Sequence, residues 1–157
     1  MFSNILVAYD GSPTSRTALA KAYELAQAES AKVTVVTVAP TVAPLAALAP
    51  VSIDGLRTEL DEWASTKLRE ADAAAPAGVV VRTVKRSGHV GHEIVAEIQS
   101  GGYDLVVLGS RGHGRLTTEI LGSVNADVHH HAKVPTLTID AADSSAGEAD
   151  ADEEIAV

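Results

Sequence analysis

Four residues in the second half of the chain stand at spacings suited to holding an anion. They are Gly109, Gly112, Gly122 and Ser123, in the run GSRGHGRLTTEILGS. Glycines 109, 112 and 114 let the backbone take positive φ and approach a ligand closely. Successive backbone N–H groups in such a turn form an anion-binding nest. Gly122-Ser123 is expected to open a helix from about Ser123 to Ala132, whose N-terminal N–H groups and dipole favour a phosphate. The Ser123 hydroxyl then serves either the helix cap or the ligand. Arg111 and Arg115 bring positive charge to this segment or face water, and His113, inside the loop, either touches a terminal phosphate or stands in solvent. Tight turns alone would account for Gly114, but less well for the whole set.

Other chemistries fit the residues poorly. The nucleophile elbow Gly-x-Ser-x-Gly is missing, because Gly109-Ser110-Arg111-Gly112 is one residue too short. There is no Gly-Lys-Ser/Thr, and no second acidic strand end that would clearly hold magnesium. A dinucleotide site would need Gly-x-Gly-x-x-Gly after the first strand, where Asp10-Gly11-Ser12-Pro13 stands instead. Six histidines raise the question of a metal. Neighbours on a helix point ~100° apart, so His129, His130 and His131 cannot all face one ion. His89 and His92 are spaced to share an ion, but they stand near a turn without an evident third ligand. They read as surface histidines, and neither a metal site nor a catalytic group is expected.

The phosphate-binding segment needs a scaffold, and the rest of the chain supplies the pattern for one. Asn4 to Tyr9 is a short apolar run of the kind found in strands buried on both faces. Ser12 can cap the helix that follows and Pro13 suits its first position. Ala18, Leu19, Ala22, Leu25 and Ala26 then share one helical face. Lys32 to Ala39 forms a second, β-branched strand, followed by a loop with Pro40, Pro44 and Pro50. Leu56, Leu60, Trp63, Ala64, Leu68 and Ala71 mark a second helix, ended by Pro76 and Gly78. Val79 to Val84 is the third strand. Gly88 to Gly91 turns the chain into a short helix with Ile94, Val95 and Ile98, closed by Gly101-Gly102. Tyr103 to Leu108 is the fourth strand and Pro135 to Asp140 the fifth. This alternation predicts an α/β fold: an open five-stranded parallel sheet, Rossmann-like, with helices on both faces. Ligands of such sheets bind beyond the carboxyl ends of the strands, where the winding reverses. The loops after the first, second and fourth strands are therefore the places for a site.

Composition narrows the partners. The chain has 157 residues, no cysteine, and a formal charge of −9. The length fits one domain. Without cysteine there is no disulfide, thiolate metal site or cysteine nucleophile. The negative balance argues against nucleic acid as a partner. No apolar run approaches the ~20 residues needed to span a bilayer, and the opening residues lack a signal-like basic region, so a cytoplasmic location is expected. Asp143, Glu148, Asp150, Asp152, Glu153 and Glu154 fall in residues 141–157 without a basic residue. That stretch has no periodic apolar face and is expected to be a disordered, solvating tail beyond a domain of residues 1–140.

The spaced motif Gly109-x2-Gly112-x9-Gly122-Ser123 resembles that of the universal stress protein family, with no insertion or deletion. Ile5-Leu-Val-Ala-Tyr-Asp-Gly-Ser12, Asp104-Leu-Val-Val-Leu-Gly-Ser-Arg-Gly112 and His131-Ala-Lys-Val-Pro135 are similar to the family too, and the resemblance covers about residues 2–140. It departs at Ala8, where many relatives have proline or valine, and at the more polar Thr136-Leu-Thr-Ile139. The resemblance implies ATP as ligand, with or without magnesium, and slow hydrolysis at most. It implies that Asp10 lies beside the adenosine next to Ala8, and that Val38 contacts adenine through its backbone. Leu108 and Gly109 would approach the ribose, while Gly112, Gly122, Ser123 and Val124 would cradle the phosphates near Arg111 and His113. A stress-response or signalling module is thus expected. The alternatives are an interaction protein of the same fold that binds no nucleotide and an enzyme acting on a small phosphorylated metabolite. A homodimer is expected through the fifth strand, an edge with unpaired backbone groups to which Val134, Leu137 and Ile139 add apolar side chains.

Overall fold

The structure, a computed structural model, describes residues 1–42, 52–110 and 120–140, with 120–123 described by backbone alone. The expected tail at 141–157, Pro44 and Pro50, and the phosphate-loop residues Arg111, Gly112, His113, Gly114 and Arg115 lie outside the described residues.

The strands are β1 (Asn4–Ala8), β2 (Lys32–Pro40), β3 (Val81–Gly88), β4 (Leu105–Gly109) and β5 (Thr136–Ile139). Between them run α1 (Pro13–Glu29), α2 (Ile53–Ala73), α3 (Val90–Gly101) and α4 (Ile120–His131). All strand pairs are parallel, and the order across the sheet is β3-β2-β1-β4-β5. The winding runs outward from β1 through β2 to β3, then returns to the other side of β1 for β4 and β5. The reversal therefore lies between β1 and β4, as the strand–helix alternation requires of a doubly wound sheet.

Alternating side chains divide the core into two layers. Ile5, Val7, Val33, Val35, Leu105 and Val107 pack under Ala18, Leu19, Ala22 and Tyr23 of α1 and Leu68 and Ala71 of α2. Leu6, Val36, Val38, Val106 and Leu108 pack under Ile94 and Ile98 of α3 and Val124 and Val128 of α4. Strands enclosed on both faces read as continuous apolar runs, which is why β1, β2 and β4 were plain in the sequence.

The elements the sequence misplaced have physical reasons. β3 starts at Val81 and runs four residues beyond Val84, pairing with β2 as far as Pro40↔Gly88. It is an edge strand, so Arg82 and Lys85 stand exposed and interrupt the apolar pattern without ending the ladder. α3 begins at Val90, so Gly91 belongs to the helix and not to the preceding turn. α4 is described from Ile120, so Gly122 and Ser123 belong to the helix instead of preceding it.

Candidate functional site

The carboxyl ends of β1, β2 and β4 meet around the winding reversal. β1 gives way to Tyr9, Asp10 and Gly11. Gly11 has φ 79°, a left-handed conformation that glycine adopts without strain. Ser12, almost fully buried, caps α1: its side chain accepts from the Ser15 backbone N–H, and Pro13 follows at the helix start. The Ser12 N–H in turn donates to Asp10 Oδ1 at 2.9 Å. The Asp10 N–H donates to Ser15 Oγ at 3.4 Å, and Arg16 Nε donates to the Gly11 carbonyl at 2.9 Å. The turn holding Asp10 is thus fixed to α1 by its own polar groups. Thr37 Oγ1 donates to the Tyr9 carbonyl at 2.7 Å, joining this turn to β2.

β4 ends where α1 begins. A Cβ built on Gly109 would lie 2.7 Å from Thr14 Oγ1, 2.8 Å from the Thr14 carbonyl carbon and 2.9 Å from the Ser15 backbone nitrogen. Glycine at 109 is therefore what allows β4 to approach the first turn of α1, which brings the ends of β1 and β4 together. Beyond it, the Ser110 N–H donates to the Ile139 carbonyl at 2.7 Å, and Ser110 Oγ lies 3.2 Å from Asp140 Oδ1. These contacts tie the start of the glycine-rich segment to the end of β5.

Ala8, Val38, Leu108 and Val124 fall in one apolar cluster, on the sheet face that α3 and α4 cover. Val38, Leu108 and Val124 are buried, Leu108 to 2 % exposure, so any ligand contact from them comes through the backbone. A cleft of about 380 Å³ lined by Tyr9, Arg16, Tyr23 and Glu70 lies between α1 and α2. That is the opposite sheet face, so the cleft is separate from this cluster. Burial there, with Glu70 nearby, pushes the Tyr9 phenol up against the lowering effect of Arg16. The Tyr9 hydroxyl donates to Glu70 Oε2 at 3.4 Å across the cleft, and Glu70 also pairs with Lys67 on the same helix at 3.0 Å.

Two expectations are corrected here. Among the apolar residues assigned to an exposed β5 edge, Ile139 is buried in the core and Val134 packs against the α3–α4 layer, leaving Leu137 exposed. His89 and His92 do have a third group near them: Asp127 of α4 brings a carboxylate within 4.8 Å of ligand atoms on both. Nothing in local spacing links Asp127 to the two histidines. The usable signal was Gly91, since a glycine within a helix marks a close approach. The contacts of Thr14 and Ser15 with Gly109 were missed in the same way. Among the described residues, no helix is long and apolar enough to cross a membrane.

A model of the universal stress protein family matches residues 1–140. The universal stress protein YxiE of Bacillus subtilis (strain 168) is 33% identical over 147 residues, spanning 88% of this chain and 99% of that one. The solved structure of hypothetical protein MJ0577 aligns with a TM-score of 0.74 at 23% identity, over 89% of this chain and 96% of that chain. A universal stress protein solved in complex with cAMP aligns with a TM-score of 0.61 at 26% identity, over 88% and 97% of the two chains. From the match to the family model and the identity with YxiE, the chain belongs to the universal stress protein family.

Proposed function

We propose that this protein binds an adenine nucleotide, ATP in the first instance, and acts as a cytoplasmic stress-response or signalling module with slow hydrolysis at most. The observation that carries the reading is the junction at Gly109. There the ends of β1 and β4 and the first turn of α1 meet at the winding reversal, where an open α/β sheet takes its ligand. The complex of a relative with cAMP supports an adenine ligand for this chain too.

In this reading Asp10 and Ala8 face the adenosine, the Val38 backbone meets adenine, and Leu108 and Gly109 offer backbone to the ribose. The phosphates fall to Gly112, Gly122, Ser123 and the Val124 backbone, with Arg111 and His113 beside them and magnesium as an accompanying ion. Gly122 and Ser123 lie in α4, near the start of its described residues, and the N–H groups of a helix N-terminus favour an anion. Asp10→Ala is expected to weaken ATP and adenosine by the same factor, costing about 1.5–3 kcal/mol for a hydrogen bond to a charged group. Asp10→Asn, which keeps an acceptor for the Ser12 N–H, separates that loss from damage to the turn. Ser123→Ala is expected to cost about 0.5–1.5 kcal/mol for ATP and less for adenosine. Titration calorimetry of the variants with both ligands checks the pattern, and equal effects of Ser123→Ala on the two would refute the phosphate assignment.

Self-association goes with this reading. β5 is an edge strand with Leu137 exposed, and a second copy pairing with it would satisfy its free backbone groups. Light scattering is expected to give twice the 16.2 kDa chain mass. A monomer at tens of micromolar protein would contradict it.

A further inference from the structure

His89, at the start of α3, His92 one turn on, and Asp127 of α4 place three ligand atoms within 4.8 Å of one another. His89 occupies the N-cap position of α3, yet its ring makes no capping hydrogen bond. The two imidazoles lie against each other, with ring centroids 4.3 Å apart and planes inclined by 39°. Among the described residues, neither imidazole nor the Asp127 carboxylate is engaged in a hydrogen bond or an ion pair.

Gly91 explains how the carboxylate gets there. A Cβ at position 91 would collide with Asp127 Oδ2 and lie 3.2 Å from its carboxyl carbon. A glycine in the first turn of a helix weakens that helix, and here its missing side chain is what admits Asp127 beside the two rings. We propose that His89, His92 and Asp127 form a binding site for a divalent transition-metal ion of the zinc class, joining α3 to α4.

The donor set fixes the class of ion. Two neutral imidazoles and one carboxylate suit zinc and its first-row neighbours, whereas magnesium and calcium demand oxygen ligands throughout. A tetrahedral ion bonded at ~2.0–2.2 Å holds its ligand atoms about 3.4 Å apart. His89 and His92 are exposed and Asp127 is half-buried, so small side-chain rotations close the remaining gap. The exposed site leaves a fourth position to water. The histidines at 129–131 are a separate matter: the His131 ring is already hydrogen-bonded to the Asp127 carbonyl at 2.9 Å. This site is independent of the nucleotide reading.

The test is calorimetric titration of the full chain with zinc chloride, after treatment with EDTA and without a histidine tag or nucleotide. A variant carrying His129→Ala, His130→Ala and His131→Ala serves as the background in which the tract is silent. That background is expected to keep one saturable zinc site. In it, Asp127→Asn and His92→Ala each weaken zinc by more than tenfold, Gly91→Ala does the same with unchanged circular dichroism, and magnesium chloride gives no saturable binding. Zinc binding that disappears with the tract, survives Asp127→Asn unchanged, is matched by magnesium, or is absent from the folded parent would overturn the proposal.

Discussion

Gly109→Val is expected to abolish measurable adenine-nucleotide binding and to cost the fold about 2–3 kcal/mol, at the upper end for an overpacked site. The first added carbon would already stand 2.8 Å from the Thr14 carbonyl carbon and 2.9 Å from the Ser15 nitrogen, both backbone atoms of α1. Neither can turn aside as a flexible side chain would, so α1 must retreat from β4. That retreat would move Ser12, whose N–H holds Asp10, and would open the core beneath Ala18, Leu19 and Ala22. Gly109→Ala adds just that first carbon and is expected to show most of the loss. Urea unfolding and ATP titration on the same preparations check both effects, and a Gly109→Val variant as stable as the parent would show that the junction yields.

Glu97→Ala is expected to destabilise the fold by about 1–3 kcal/mol, because it takes the carboxylate acceptor from the buried Tyr103 hydroxyl and leaves Arg86 with Glu93 alone. Glu97 lies on α3 with 5% exposure. It accepts from the Tyr103 hydroxyl at 2.7 Å and from Arg86 Nε at 2.8 Å, while the Arg86 guanidinium also reaches Glu93 at 3.2 Å. The group ties edge strand β3 to α3 and to the start of β4. Burial alone would raise the Glu97 carboxyl, but the Tyr103 hydroxyl and the Arg86 guanidinium outweigh it and hold the group below the ordinary value of 4.5. A carboxyl lowered by folding stabilises the protein above its unfolded value, and that stabilisation is lost as pH falls through the folded value. The parent is thus expected to lose stability below about pH 4.5 more steeply than Glu97→Gln, which keeps the shape and loses the charge. Urea midpoints between pH 3 and 7 (a range of about four units around the carboxylate values) measure the difference.

The fold was legible wherever a segment is enclosed on both sides. Ile5, Leu6 and Val7 in β1 and Val106 and Val107 in β4 are fully buried, and such strands have no polar face to confuse the pattern. The start of α1 was legible for a local reason, since Ser12 and Pro13 are chosen by the helix terminus itself. Legibility failed where a neighbour far along the chain decides. The charged residues of β3 are tolerated because β3 pairs on one side alone. The cap-like Gly122-Ser123 lost to Ile120 and Leu121, which already belong to α4. At the candidate site, the turn holding Asp10 follows β1 as the motif placed it. By contrast, Gly109, expected to take positive φ and approach a ligand, has no positive φ and is needed for the approach of β4 to α1. Thr14, Ser15 and Asp127 reach their partners through packing between elements, and no periodicity within one element carries that information.

The central claim is adenine-nucleotide binding at the carboxyl ends of β1, β2 and β4, and it is tested most directly by titrating ATP into nucleotide-stripped protein. The account predicts saturable binding of one ATP per chain, weakened alike for ATP and adenosine by Asp10→Ala and more for ATP than for adenosine by Ser123→Ala. A folded protein that shows no saturable binding of ATP, ADP, AMP or adenosine would contradict it.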